Sequence, residues 1–307
     1  MAARNENGGG MLTARYFAVK RFAVHDGPGV RTTLFLKGCS LRCAWCHNPE
    51  GIASGPELAF HEMKCSLCGA CARVCRNHRV AAGRHDFDRA GCSACGKCVG
   101  ACPSGALELF GMSITVAEAA KQLLADKVFY SEGGGVTVSG GEPLLQSGFC
   151  AALFGRLKRA GVHCAADTSG NVPWSAFEQI LPVTDMFLYD LKAADEDTHL
   201  RYTGCGNRLI LDNLRRLDRT GREIEVRMPL VPGVNMDDGA LRCAGELLAP
   251  LENVKRVRLL GYHDFARSKY RAIGAEDTMP HVAQPDEEAL RRAAAVLEEY
   301  DLEVTVQ

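Results

Sequence analysis

The chain has 307 residues, and its 36 Lys and Arg against 37 Asp and Glu leave a formal net charge of −1. That balance argues against a nucleic-acid partner and against docking on an acidic membrane surface. No apolar run approaches the ~18 residues a membrane span needs, and the opening MAARNENGGG lacks the apolar centre of a secretory signal, so a cytoplasmic protein is expected.

The first predicted strand is 31–37, RTTLFLK. It runs into GCSLRCAWCHNPE, where Cys39, Cys43 and Cys46 stand at C-x3-C-x2-C with Trp45 before the last. A four-iron cluster ordinarily takes four protein thiolates. Three thiolates would leave one iron with an open coordination position, which separates a metal site that does chemistry from a closed one.

Fifteen cysteines are present, and eleven lie between Cys39 and Cys102. A disulfide scaffold would be shorter and would spread its cysteines along the chain. Two runs follow the first loop: Cys65, Cys68, Cys71, Cys75, and then Cys92, Cys95, Cys98, Cys102 with Pro103 after it. Both read C-x2-C-x2-C-x3-C, the two-cluster bacterial ferredoxin pattern, in which the fourth cysteine of each run serves the other cluster. One [4Fe–4S] cluster is therefore predicted on Cys65, Cys68, Cys71 and Cys102, and another on Cys92, Cys95, Cys98 and Cys75. A zinc ribbon would group cysteines as two pairs. The first run departs from the pattern by having Arg76 where a proline would follow. Residues 58–111 are thus read as a ferredoxin-like insert, and 1–57 with 112–307 as one discontinuous larger domain. From Leu58 to Gly111, seven Lys and Arg face four acids, which leaves the insert at +3.

After the insert, amphipathic helices are predicted over 116–128, 145–160, 237–250 and 286–300, the last before a short terminal strand. Strands are predicted over 135–139, 162–166, 186–190, 223–228 and 255–260. Six β–α units in succession argue for a parallel sheet with helices outside. A complete eight-unit barrel takes ~250 residues; with six units, the expected fold is α/β, a partial (β/α)6 barrel carrying the insert.

In such folds function gathers where the strands end. The first strand ends at the Cys39–Cys46 loop. The second ends at SGGEP with Gly140, Gly141 and Glu142, and the third runs into Asp167. The fourth ends at DLK with Asp190 and Lys192, the fifth passes through Arg227 to VPG, and the sixth ends at His263. Singly, these are an ordinary turn, a solvated loop and a structural histidine. Their recurrence at one end of all six strands is what marks a site. His25, His47 and His61 receive no such support. Cys150, Cys164, Cys205 and Cys243 are read as buried apolar cysteines, Cys205 being the one whose neighbours suggest exposure.

The cysteine loop with its tryptophan resembles the radical S-adenosylmethionine (SAM) superfamily. DGPGVR, CHNPE, GGGVTVSGGEP, DTSG, DLK, VPG, LLGYH and a later KY, in that order, resemble the glycyl-radical-enzyme activating enzymes. The likeness is to the subgroup larger than the pyruvate formate-lyase activator. The resemblance implies that the cluster on Cys39, Cys43 and Cys46 binds the amino and carboxylate groups of SAM. One electron then cleaves the sulfonium to methionine and a 5′-deoxyadenosyl radical, which takes a hydrogen atom from a backbone glycine of a partner enzyme.

By the same resemblance, Gly140, Gly141 and Glu142 meet the methionine amino end, Lys192 suits the carboxylate and Asp190 the amine. His263 contacts the nucleoside, Asp167 helps hold a monovalent cation, and Arg227 is a further candidate for the carboxylate. Trp45 is placed beside the cofactor. The implied partners are a glycyl radical enzyme (a decarboxylase, dehydratase, or C–N or C–S lyase) and a flavodoxin or ferredoxin as electron donor. Two other functions stay open at this point. A radical enzyme acting on a small molecule would need a roofed pocket, for which few residues are spare. A polyferredoxin-type electron carrier would leave ~250 residues and the open cluster without a role.

Overall fold

The computed structural model describes residues 12–130 and 133–307; MAARNENGGG lies outside the described residues. In chain order, β1 (Thr13–Ala23) and β2 (Arg31–Leu36) come first. Then β3 (Glu57–Phe60), β4 (His78–Ala81), β5 (Arg84–Phe87) and β6 (Leu107–Phe110) accompany the insert cysteines. They are followed by β7 (Met112–Thr115), β8 (Gly135–Gly140), β9 (His163–Thr168), β10 (Met186–Asp190), β11 (Glu223–Leu230), β12 (Val254–Gly261) and β13 (Val304–Val306).

One nine-stranded sheet runs β13-β12-β11-β10-β9-β8-β2-β1-β7. From β2 to β13 every neighbouring pair is parallel. The six predicted strands lie where expected to within two residues, and the terminal strand adds a seventh. The sequence reading missed β1 and β7, which pair antiparallel at the β2 side. Scattered Lys and Arg and weak burial alternation along β1 hide its period of two.

That period decides what each face carries. In β8, Val136 and Val138 enter the main core with Leu34, Phe149, Phe154 and Phe177. Each large apolar side chain so buried contributes roughly 1.5–3 kcal/mol. Residues out of phase with them turn to the opposite face: Thr137 accepts from Arg31 Nε at 2.7 Å, and Ser139, Asp167, Asp190 and Arg227 line its cavity. The helices are set by their caps: Thr115 and Glu118 form a reciprocal capping box on Val116–Leu124, and Asp237 and Asp286 cap Asp238–Leu248 and Glu287–Glu298. The first helix ends at Leu124, short of the predicted 128, and a separate turn covers Lys127–Phe129.

Between β2 and β7 the chain repeats itself. Helices Ala70–Val74 and Lys97–Ala101 each follow a left-handed glycine, Gly69 and Gly96. Leu67 and Ala94, each just before the second cysteine of its run, share a left-handed φ of 57° and 51°. Two small antiparallel pairs, β3 with β6 and β4 with β5, complete this region. Arg89 ties it to the large sheet's domain, donating to Leu58 O at 2.8 Å and to Ala272 O at 2.6 Å, at the end of helix Arg267–Ile273. Among the described residues no helix is long and apolar enough to cross a membrane.

Candidate active site

A cavity of about 420 Å³ opens at the carboxyl ends of the parallel strands. Cys39, Cys43, Trp45, Cys46, Gly140, Gly141, Asp167, Asp190, Lys192, Arg227 and His263 all line it, so six strand ends converge as the motifs predict. No fourth cysteine is among its lining residues. Soft thiolates suit iron–sulfur ligation, and a set of three on one loop fits a [4Fe–4S] cluster with one iron left open.

The cysteine loop is clamped by backbone bonds from several elements. Cys39 N donates to Ile52 O at 3.0 Å, Arg42 N to Thr203 O at 2.7 Å and Ala44 N to Tyr202 O at 2.8 Å. From the far side, Tyr270 Oη donates to Cys46 O at 3.1 Å and Lys269 Nζ to His47 O at 2.8 Å. Without iron, burial pushes the Cys39 thiol up to about 11 and Cys43 to about 12, with the Lys192 ammonium opposing the rise in both. Ligation replaces that proton, so metal binding and deprotonation are linked.

Charges oppose one another across the cavity floor. Lys192 Nζ and Asp190 Oδ2 pair at 2.7 Å, which holds the ammonium charged against its burial. Ser139 Oγ donates to Asp167 Oδ2 at 2.6 Å, while Asp167 Oδ1 is buried with no hydrogen-bond donor. Burial pushes this carboxyl up to about 7, against the pull of Arg227 3.8 Å away. An unpartnered buried carboxylate oxygen with Asp190 nearby suits a small cation. The buried Nε1 of Trp45 and Nδ1 of His263 also lack protein partners.

Several expectations need correction. Glu142 does not line the cavity. It is fully buried and accepts from Thr168 Oγ1 at 2.8 Å, Ser169 N at 2.9 Å, Ser169 Oγ at 2.7 Å and Leu144 N at 3.1 Å. With both oxygens taken, its role is to tie β8 to the loop after β9. The glycines of the same motif have a second cause: a Cβ on Gly140 would collide with the Leu36 carbonyl, and one on Gly141 with the Gly38 carbonyl. Arg227 lines the cavity, but its guanidinium already donates to His25 O at 2.6 Å and faces Glu225 at 3.5 Å. Cys243 is exposed, not buried, and Cys205 is half-buried under the loop, its Sγ 3.5 Å from Ser40 O.

Sequence reasoning missed His47. Its ring stacks on His263 at 4.0 Å and lines the cavity, and burial pushes it down to about 4, so it is neutral. Its adjacency to Cys46 was the available signal. Ser139 and Asp26 also line the cavity unforeseen.

In the repeat region, Cys65, Cys68, Cys71 and Cys102 line one small pocket together with His85. These are the four cysteines assigned to one cluster by the crossed pattern. Cys98 is pushed up to about 11 by burial and then by Cys75, Cys92 and Cys95 beside it. Exposure repeats too: Cys68 and Cys95 are exposed, Cys71 and Cys98 buried. Burial pushes the His78 and His85 imidazoles down, so both are neutral near pH 7.

The Radical SAM superfamily model matches residues 33–241. The trans-4-hydroxy-L-proline dehydratase activating enzyme of Clostridioides difficile is 39% identical over 286 residues, 91% of this chain and 94% of that one. The (2S)-3-sulfopropanediol dehydratase activating enzyme of Klebsiella oxytoca is 37% identical over 281 residues, 87% of each chain. Among solved structures, Streptococcus suis SuiB bound to S-adenosylmethionine superposes with a TM-score of 0.53 at 12% identity, over 88% of this chain and 48% of that one, a likeness of fold alone. The chain belongs to the radical SAM superfamily, whose chemistry uses a [4Fe–4S] cluster and S-adenosylmethionine, and within it to the glycyl-radical-enzyme activating enzymes.

Proposed function

We propose that this chain is the activating enzyme of a glycyl radical enzyme, working in the cytoplasm as a partial (β/α)6 barrel (1–57 and 112–307) with a ferredoxin-like insert (58–111). One observation carries the reading: three thiols, and no fourth, share a cavity with the Lys192–Asp190 pair at the strand ends. Cys39, Cys43 and Cys46 would hold the cluster, which supplies the single electron that splits the C5′–S bond of SAM.

The protein's own residues supply the rest. Lys192 binds the cofactor's carboxylate and Asp190 its ammonium, exchanging their mutual ion pair for two opposite-charge contacts to the cofactor. His263, its ring held between His47 and Phe265, meets the nucleoside through its edge. Asp167 holds a monovalent cation near the sulfonium, with Ser139 and Arg227 fixing its carboxylate. SAM bound there would supply a 5′-deoxyadenosyl radical able to take the Cα hydrogen of a glycine in the partner, with 5′-deoxyadenosine and a glycyl radical as products. Two further [4Fe–4S] clusters, on Cys65, Cys68, Cys71, Cys102 and on Cys92, Cys95, Cys98, Cys75, would relay electrons from a flavodoxin or ferredoxin.

The test is to mix the reduced, iron-loaded protein with SAM and glycyl radical enzymes of the dehydratase, decarboxylase and C–N or C–S lyase classes. A glycyl radical seen by electron paramagnetic resonance in one partner is expected. Formation of 5′-deoxyadenosine with no radical on any partner, coupled to turnover of a small molecule, would replace this reading.

A further inference from the structure

The two cysteine runs repeat, but what lies between them does not. The β4–β5 hairpin occurs once, after Cys75, with no counterpart after Cys102. It presents His78 and His85, diagonal neighbours on one face. His85 Nδ1 lies 3.5 Å from Cys65 Sγ and its Nε2 3.6 Å from Cys71 Sγ. His78 Nδ1 lies 2.9 Å from His85 Nε2. Phe60 meets the His85 ring at 4.3 Å and Phe87 stacks on His78 at 4.5 Å, holding both imidazoles in place. Among the described residues no histidine ring lies in hydrogen-bond contact with the Sγ of Cys92, Cys95, Cys98 or Cys75; the one bond between these and a histidine is the backbone bond from His78 N to Cys75 O at 3.2 Å. Close to Cys92 Sγ is the amide of Ala94, at 3.4 Å.

The unpartnered atom decides the protonation pattern. His78 Nε2 is buried with no hydrogen-bond partner. If His85 donated to His78, the His78 proton would sit on that nitrogen as a buried N–H without an acceptor, a costly arrangement. With the proton on His78 Nδ1, His78 donates to His85 Nε2, and His85 carries its own proton on Nδ1, toward Cys65. Every N–H of the pair then has an acceptor, and the orphan is only a lone pair.

We propose that His85, oriented by His78, donates an N–H···S hydrogen bond to Cys65 and so raises the reduction potential of the cluster on Cys65, Cys68, Cys71 and Cys102 above that of its repeat partner. The proposal rests on the cluster reading of the insert. Hydrogen bonds to cluster sulfurs stabilise the more negative, reduced state. The asymmetry gives two otherwise equivalent clusters an order: electrons settle on the Cys65 cluster in preference to the other.

The test uses full-length protein carrying Cys39→Ala, Cys43→Ala and Cys46→Ala, so that only insert clusters remain. Iron is measured first and then both potentials are titrated by electron paramagnetic resonance. About eight irons and two separated couples are expected. His85→Phe should move the higher couple down, changing the electron partition about tenfold, or ~59 mV for one electron, with the lower couple unmoved. His85→Gln, which keeps an N–H donor, should recover most of the shift, and His78→Phe should give a smaller one.

Unchanged couples in His85→Phe at full iron overturn the proposal. If His85→Phe loses four irons, His85→Gln and His78→Phe decide: couples at parental positions in both overturn it, and a shift in His78→Phe with little in His85→Gln supports it. A parent without iron in the insert overturns the cluster reading, and this inference with it. Zinc held by Cys71, His78 and His85, whose ligating atoms lie within 4.8 Å of one another, does the same.

Discussion

The 39–46 loop and the insert present the same ligand atom in unlike settings. The loop has no secondary structure of its own to speak of; Ile52 nearby, and Tyr202, Thr203 and Tyr270 from distant parts of the chain, hold it in shape. The insert carries its own frame, two short helices after left-handed glycines in a repeat, and Arg89, Phe110 and Gly111 are among its ties to the larger domain. A closed cluster needs four thiols at fixed spacing, which local geometry can supply. An open one also needs a shaped, charged cavity beside it, which only convergent strand ends provide.

The most severe break of that comparison is to remove the loop's thiols. Replacing Cys39, Cys43 and Cys46 by Ala should take about four of twelve irons and all SAM cleavage, read as 5′-deoxyadenosine. Persistent cleavage would move the chemistry to the insert. Next is the converse variant. Cys68→Ala with Cys95→Ala should leave dithionite-driven cleavage in place while flavodoxin-driven activation falls steeply. In the intact protein the flavodoxin-driven rate should drop as ionic strength rises, since attraction to a +3 insert is screened. A variant with the full flavodoxin rate but no partner binding would make the insert a docking module.

Two side chains beyond the ends of β8 and β10, with β9 between them, sharpen the difference between holding the site and using it. Glu142→Ala strands four buried donors and should cost roughly 2–4 kcal/mol, seen as a lower unfolding midpoint with or without SAM. Lys192→Ala should leave iron content unchanged and weaken SAM about tenfold or more, for ~1.5–3 kcal/mol of lost charge-assisted contact. Weaker SAM binding in Glu142→Ala at unchanged stability would return that residue to the ligand.

The last test concerns Asp167. Its carboxyl is raised to about 7 in the folded protein, chiefly by burial, and lies near 3.9 when unfolded. The folded state therefore binds the proton more tightly, and its stability falls as pH rises from about 4 to about 7. Asp167→Asn should flatten that slope in the iron-free protein. An identical pH profile in the variant would place the titration elsewhere.

The cysteine patterns and the order of motifs along the strands were legible without coordinates, because metal ligation and turn chemistry demand particular residues at short spacings. So were all seven parallel strands, the short terminal one included, and the helices over 116–128, 145–160, 237–250 and 286–300. The β1 strand was not, since its pairing rather than its pattern makes it a strand. Nor was His47, whose importance comes from stacking on His263, 216 residues away. Glu142 was misread for a related reason: a carboxylate at a strand end can turn toward a ligand or toward neighbouring donors. That choice rests on where Thr168 and Ser169 fall in the folded chain. Spacing along the chain thus determined which groups could bind iron. Tertiary structure decided which polar side chains remain free to meet a ligand, because hydrogen bonding between distant segments uses up the rest.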